Sequence, residues 1–270
     1  MRPLWMVLVL VLAAAYVPAV EPAKPLFLPL DQYRLSPAEA GRVARAHRLL
    51  LAQCLAPFGL IVPEPAPPPD AAMVGRNERR YGLTNARHAH EFGYRLPGAA
   101  PAAARDGSAQ DLDLLAVMSG RGPRVIRGQA VPEGGCYADA RRRLHTHAPA
   151  ARDMYVAQRL DMESHRESKA DDRVRAAWAK WSRCMDAKGH RYPDPLAAAG
   201  DPAFRGPVSA REITTALADI ECKERTGLVR AWSDVEARWQ RVMIARHRAE
   251  LAAVRRAHSG QLAVAHQLGV

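Results

Sequence analysis

The distribution of apolar and polar positions divides the chain into an uninterrupted apolar opening and a long run of amphipathic stretches separated by proline and glycine. Leu4–Val17 carries no charge. After a linker at residues 21–35, Ser36-Pro37-Ala38-Glu39 predicts a helix start: serine caps, proline fits the first turn and the glutamate reaches back. That helix is predicted to run to about Ala56, burying Val43, His47 or Leu50, Leu51 and Cys54. Pro63-Glu64-Pro65-Ala66-Pro67-Pro68-Pro69 predicts an extended strap. Helices are expected at 76–92 and 111–118, with loops at 93–108 and 120–135. A long helical stretch from Cys136 is interrupted at Ala148-Pro149 and continues over 150–187. Residues 196–207 predict a loop. Ser209-Ala210-Arg211-Glu212 opens a last helix with a kink expected at Gly227, and residues 259–270 predict a loose tail. After Gly227 the seam is Leu228, Trp232, Val235, Trp239 and Val242. The expected fold is mainly α: a disulfide-stapled helical bundle with long Pro/Gly-rich loops, in two halves, 36–150 and 151–258.

A repeat underlies the two halves. Cys54-Leu55-Ala56-Pro57-Phe58-Gly59 leads to Pro63-Glu64-Pro65, and Cys184-Met185-Asp186-Ala187-Lys188-Gly189 leads to Pro193-Asp194-Pro195. In both, a helix ends, glycine takes the left-handed position and prolines stop its resumption. Cys136 and Cys222 lie downstream, one per half.

The opening run changes the reading of compartment. Arg2 precedes it, and Val17-Pro18-Ala19 puts small residues at −3 and −1 of a cut after Ala19. At about 14 residues it is shorter than the roughly 20 of a spanning helix, so residues 1–20 read as a signal peptide, with an uncleaved anchor as the alternative. Export gives four cysteines a meaning. An even number reads as two disulfides, and the repeat selects Cys54–Cys136 and Cys184–Cys222. Each is expected to stabilise by roughly 3–5 kcal/mol. Zinc is the competing use, but no Cys-x-x-Cys or Cys-x-x-His is present.

Hydrophobic residues make up 48% and aromatics only 6%, which favours helices packed through alanine over aromatic-rich sheets. A net charge of +11 favours polyanionic partners: anionic lipid, a teichoic-type wall polymer, or an envelope protein. Export argues against nucleic acid. The candidate polyanion contacts are Arg238, Arg241, Arg248 and Arg255, set against the plainer reading of a solvated face diluted by Glu236 and Glu250. A candidate ligand site lies in the middle region, 76–130, at Arg80, Tyr81, His88 and Glu91, where the alternative function of a cell-wall-directed enzyme or ligand-binding protein would reside. No hydrolase elbow, phosphate loop, dinucleotide fingerprint or zinc-protease motif occurs, so no catalytic residue, cofactor or metal is assigned. The pairs His88/His90 and His145/His147 read as surface histidines, and Trp178, Trp181, Trp232 and Trp239 as helix–helix core.

Arg79-Arg80-Tyr81-Gly82-Leu83, Gly134-Gly135-Cys136, Trp181-Ser182-Arg183-Cys184-Met185 and Asp219-Ile220-Glu221-Cys222-Lys223 with Thr226-Gly227-Leu228-Val229 resemble a family of uncharacterised exported proteins of actinobacteria. The resemblance spans most of residues 36–245. It implies an envelope location and four bridged cysteines, and it carries no catalytic residue. Members often look like lipoproteins; this chain lacks the anchoring cysteine. The expected function is that of a secreted or envelope-associated binding or structural protein.

Overall fold

A computed structural model describes residues 26–61, 77–96 and 112–270. The apolar opening, the strap at 63–69 and most of the loop at 93–108 lie outside the described residues. Ten helices appear among those described: α1 (Pro37–Leu55), α2 (Ala86–Phe92), α3 (Leu112–Ser119), α4 (Gly135–Leu144), α5 (Val156–Lys169), α6 (Asp172–Asp186), α7 (Pro195–Ala199), α8 (Ala210–Thr226), α9 (Leu228–Arg246) and α10 (Arg248–Gln267). A hairpin of β1 (Val125–Ile126) and β2 (Gln129–Ala130) sits between α3 and α4. Its two-residue turn, Arg127-Gly128, has both φ angles positive, the geometry that suits the twist of paired strands. The fold is mainly helical, as expected.

Local chemistry sets the helix ends. The Ser36 side chain accepts from the Glu39 amide, and Glu39 accepts from the Ser36 amide at 2.8 Å, completing the predicted capping box. The second box is half made: Ser209 accepts from the Glu212 amide, but the Glu212 carboxylate turns inward instead. Both halves of the sequence repeat have the same backbone end. Gly59 and Gly189 are left-handed, with φ of 64° and 83°; Leu60 N–H donates to Leu55 C=O, and His190 N–H to Met185 C=O. This six-to-one bond is the Schellman stop.

Several helices differ from expectation. Residues 76–92 are not one helix. Residues 77–85 run irregularly through a left-handed Gly82 (φ 87°), and only 86–92 is helical, capped by Asn85. The stretch 150–187 breaks at Ala170-Asp171, because Asp171 turns its carboxylate onto the Arg173 amide and starts a new helix. The loop 196–207 contains α7 and a short 3-10 turn, capped by Asp194 and Asp201. Gly227, φ 62°, ends α8 outright where the sequence predicts only a kink, and His247 divides α9 from α10. The seam on α9 begins as expected with Leu228, Trp232 and Val235 buried, then moves to Glu236, Gln240 and Met243; Trp239 and Val242 are exposed. Residues 259–270 are not loose: they continue α10 to Gln267 and bury Val264 and Ala265.

The apolar interior forms three clusters. One joins Tyr81 and Leu83 with α2, α6, α8 and the first half of α9. Another joins α1, α3, α4 and the end of α10. A third packs Leu30 against α5, the end of α9 and the start of α10. The clusters therefore draw on both sequence halves: α2, from residues 36–150, packs on α8, and the end of α10 packs beside α1 and α4. Cys54–Cys136 staples α1 to α4 and Cys184–Cys222 staples α6 to α8, with Cα atoms 5.6 and 5.7 Å apart. Two such bridges point to an oxidising, extracytoplasmic environment. Among the described residues no helix is long and apolar enough to cross a membrane.

Candidate functional site

The segment 77–83 has no regular structure of its own, so its side chains hold it in place. Asn77 donates to Leu26 C=O and to Asp31 Oδ2, at 3.0 and 2.7 Å. Arg80 then enters between α5 and α9. Its Nε donates to Glu236 Oε1 at 2.8 Å, its Nη2 also bonds that oxygen, and its Nη1 donates to Asp161 Oδ2 at 2.9 Å. Tyr81 donates its hydroxyl to Glu236 Oε2 at 2.9 Å, and His165 Nδ1 approaches the same oxygen at 3.2 Å. Gln240 completes the centre: its amide nitrogen lies 3.2 Å from Asp161 Oδ1, and its oxygen accepts from the Leu30 amide at 2.9 Å. Arg34 reaches Asp161 from the other side at 3.3 Å.

Two cations and two carboxylates balance here, so the buried charge is compensated. Burial alone would raise the Glu236 carboxyl. Hydrogen bonds from His165, Arg80 and Tyr81, with the Arg80 charge, outweigh it and hold the group at about 2. Burial lowers the Arg80 guanidinium, but Glu236 and Asp161 more than offset this and raise it. Burial, reinforced by the adjacent Glu236 charge, raises Tyr81. The His165 ring stacks on Trp232, 5.3 Å between centroids.

A second polar centre ties the same segment to α8. Lys223 Nζ donates to Asp219 Oδ2 at 2.7 Å and to Leu83 C=O at 2.9 Å. Asp219 also accepts from Trp181 and Tyr94. Burial drives Lys223 down and Asp219 up, each toward its neutral form. Gly82 is required at this point, since a Cβ there would stand 2.6 Å from Lys223 Nζ. Glu212 accepts from the Tyr94 amide and from Arg95.

The candidate ligand residues do not converge. Arg80 and Tyr81 lie inside, bound to Glu236. His88 stands on α2 against Phe92 and the Arg95 carbonyl, and Glu91 is exposed. The described residues 77–83 contribute struts to a polar core. His88 is half-buried and His90 exposed; His145 and His147 meet Gln261 and Gln267. Among the described residues no group of three or more histidine, cysteine or acidic side chains is placed to hold a metal. Trp181 and Trp232 are wholly buried and Trp178 partly so, while Trp239 is on the surface.

Asp161, His165 and Gln240 are not singled out from the sequence; Asp219 and Lys223 enter there only within a resemblance motif, and Glu236 is placed on the surface. The signal was present in their spacing: Asp161/Ser164/His165, Asp219/Lys223 and Glu236/Gln240 are polar sets at helical intervals on faces flanked by apolar residues.

The candidate polyanion residues are all exposed. Among the described residues, Arg238, Arg241, Arg246, Arg248 and Arg256 form no ion pair. Arg255 lies over the Tyr33 ring at 6.0 Å. Glu236 faces the interior and does not dilute this row, and Glu250 pairs with His247. Comparison with protein-family models, with characterised proteins and with solved structures gives no match, so no activity is carried over from a relative.

Proposed function

We propose that this chain is a non-enzymatic, extracytoplasmic binding protein that holds an anionic component of the cell envelope through the arginines of α9 and α10. The observation that carries this reading is the contrast between two kinds of arginine. Arg34, Arg80 and Arg95 are matched to carboxylates within the fold. Arg238, Arg241 and Arg248 stand in solvent and form no ion pair among the described residues; of the two glutamates expected among them, Glu236 is inside and Glu250 turns to His247. Arg238 and Arg241, three apart, share one face of α9; Arg248 and Arg255, seven apart, share one face of α10. An unneutralised row of guanidinium groups attracts phosphate or carboxylate and offers each a planar fork of donors.

The test uses the oxidised protein, passed over immobilised phosphodiester wall polymer and mixed with vesicles of anionic or neutral lipid. Retention by an anionic probe should fall steeply as salt rises toward about 0.15 M, where exposed charges are screened beyond about 8 Å. Changing Arg238, Arg241, Arg248 and Arg255 to glutamine should abolish it. Absence of retention at low salt, or retention indifferent to salt, would overturn the reading.

A further inference from the structure

We infer that the groove between the start of α6 and the middle of α9 is a seat for phosphodiester groups of a linear anionic polymer, with Arg238 and Arg241 as its binding residues. This rests on the polyanion reading and narrows it from a diffuse basic surface to one place. The groove has a volume of about 480 Å³ and is lined by Arg173, Arg238 and Arg241 together with Ala231, Asp234, Val235 and Ala237.

The charges in it are not equivalent. Arg173 is engaged bidentately by Asp171, at 2.9 and 2.8 Å, so its fork is already occupied. Asp234 lies one turn before Arg238 and one turn after Arg230 on α9; it stands 4.0 Å from Arg230 and forms no ion pair with Arg238. Arg238 and Arg241 have no such partner, and at i,i+3 their Cβ atoms are about 5–6 Å apart. Two adjacent guanidinium groups can thus grip neighbouring oxygens of one phosphodiester or span consecutive groups.

The rest of the groove selects for shape. Its apolar lining is Ala231, Val235 and Ala237, side chains too short to fill the recess. That lining offers no aromatic face for stacking a nucleobase. The walls are preformed. Trp178 of α6 and Trp232 of α9 pack edge to face, 5.0 Å between centroids, and Trp232 donates to Ser168 just before α6 begins. Cys184–Cys222 holds the other end of α6 to α8. A site on two fixed helices loses little freedom on binding.

The experiment compares two variants of identical charge change, with poly(glycerol phosphate) as probe and vesicles of anionic lipid as a second arm. Ala237→Glu places an acid in the groove; Ala249→Glu places one on the exposed surface of α10. Both are helix-compatible, and matching thermal unfolding midpoints establish that both fold. Ala237→Glu should weaken polymer binding by about tenfold or more, and Ala249→Glu by less than about twofold, because only the first meets the phosphate at contact distance. Arg241→Gln should flatten the dependence of log affinity on log salt by about one contact. Equal losses in the two glutamate variants would overturn the groove and leave a diffuse basic surface. Binding of vesicles but not polymer would overturn the choice of ligand. No binding of either probe by the unaltered protein would overturn both this inference and the reading it rests on.

Discussion

Replacing Glu236 by glutamine isolates the charge at the centre of the fold while keeping its shape. The carboxylate is wholly buried and receives Arg80, Tyr81 and His165. Those partners lower it from an ordinary 4.5 to about 2, a difference worth about 3 kcal/mol of folding free energy. The sign follows from which state holds the proton. Between pH 4.5 and 2 the unfolded chain binds it more readily, so this stability is complete above 4.5 and is lost as pH falls toward 2. Glu236→Gln should therefore lower stability at pH 7 by about 3 kcal/mol, rising toward 5 if Arg80 is left under-compensated beside Asp161. It should also remove that part of the acid dependence. Urea unfolding of the oxidised protein at a series of pH values reads both quantities. If the variant keeps the full slope between pH 4.5 and 2, the acid sensitivity originates in other carboxylates and the account of Glu236 is wrong.

Three further outcomes test the architecture. Peptide mapping without reduction should recover Cys54 linked to Cys136 and Cys184 linked to Cys222; a peptide joining Cys54 to Cys184 would contradict the two staples. Removing either pair should cost about 4 kcal/mol on the loop-entropy model, given separations of 82 and 38 residues. Gly260→Ala decides by sign whether the end of α10 is packed. In a loose tail the change would favour helix by about 1 kcal/mol. In this fold the new Cβ would stand 2.7 Å from that of Ala148, and the crowding should destabilise by about 1–3 kcal/mol, read as a lower thermal midpoint.

What could be read beforehand were features written in neighbouring residues. The Ser36 cap, the glycine stops at Gly59 and Gly189, and the interruption at Gly227 depend on a few adjacent positions, and each appears where its residues place it. The cysteine pairing was legible because a repeated local pattern constrained it. The polar core was not. Glu236 and Gln240 look like surface residues until α5, Arg80 and Leu30 are brought against them. The same blindness placed Trp239 in the seam and Glu236 outside it. The tail is apolar enough to pack, with Val264, Ala265, Leu268 and Val270, but the surface that receives these residues is built by α1, α3 and α4, far away in the sequence. Arg80 and Tyr81 were chosen as residues of consequence, but their consequence is to anchor a segment without secondary structure.

The bond from the Leu30 amide to Gln240 spans 210 positions of the chain, and α10 shares a core with α1. A polypeptide that emerges amino end first, whether from a ribosome or through a translocation channel, must wait for its last helices before its first ones are complete. Each staple, by contrast, joins residues that emerge well before the end. Oxidation can thus capture α1 with α4 and α6 with α8 while the closing partners are still to come. The polar centre and the core shared by α1, α4 and α10 can close only when α9 and α10 arrive. A chain cut short early in α9 would keep its cross-links yet leave the polar centre open, and one cut within α10 would leave the clusters at α1 and α5 open, each an easy target for a quality-control protease.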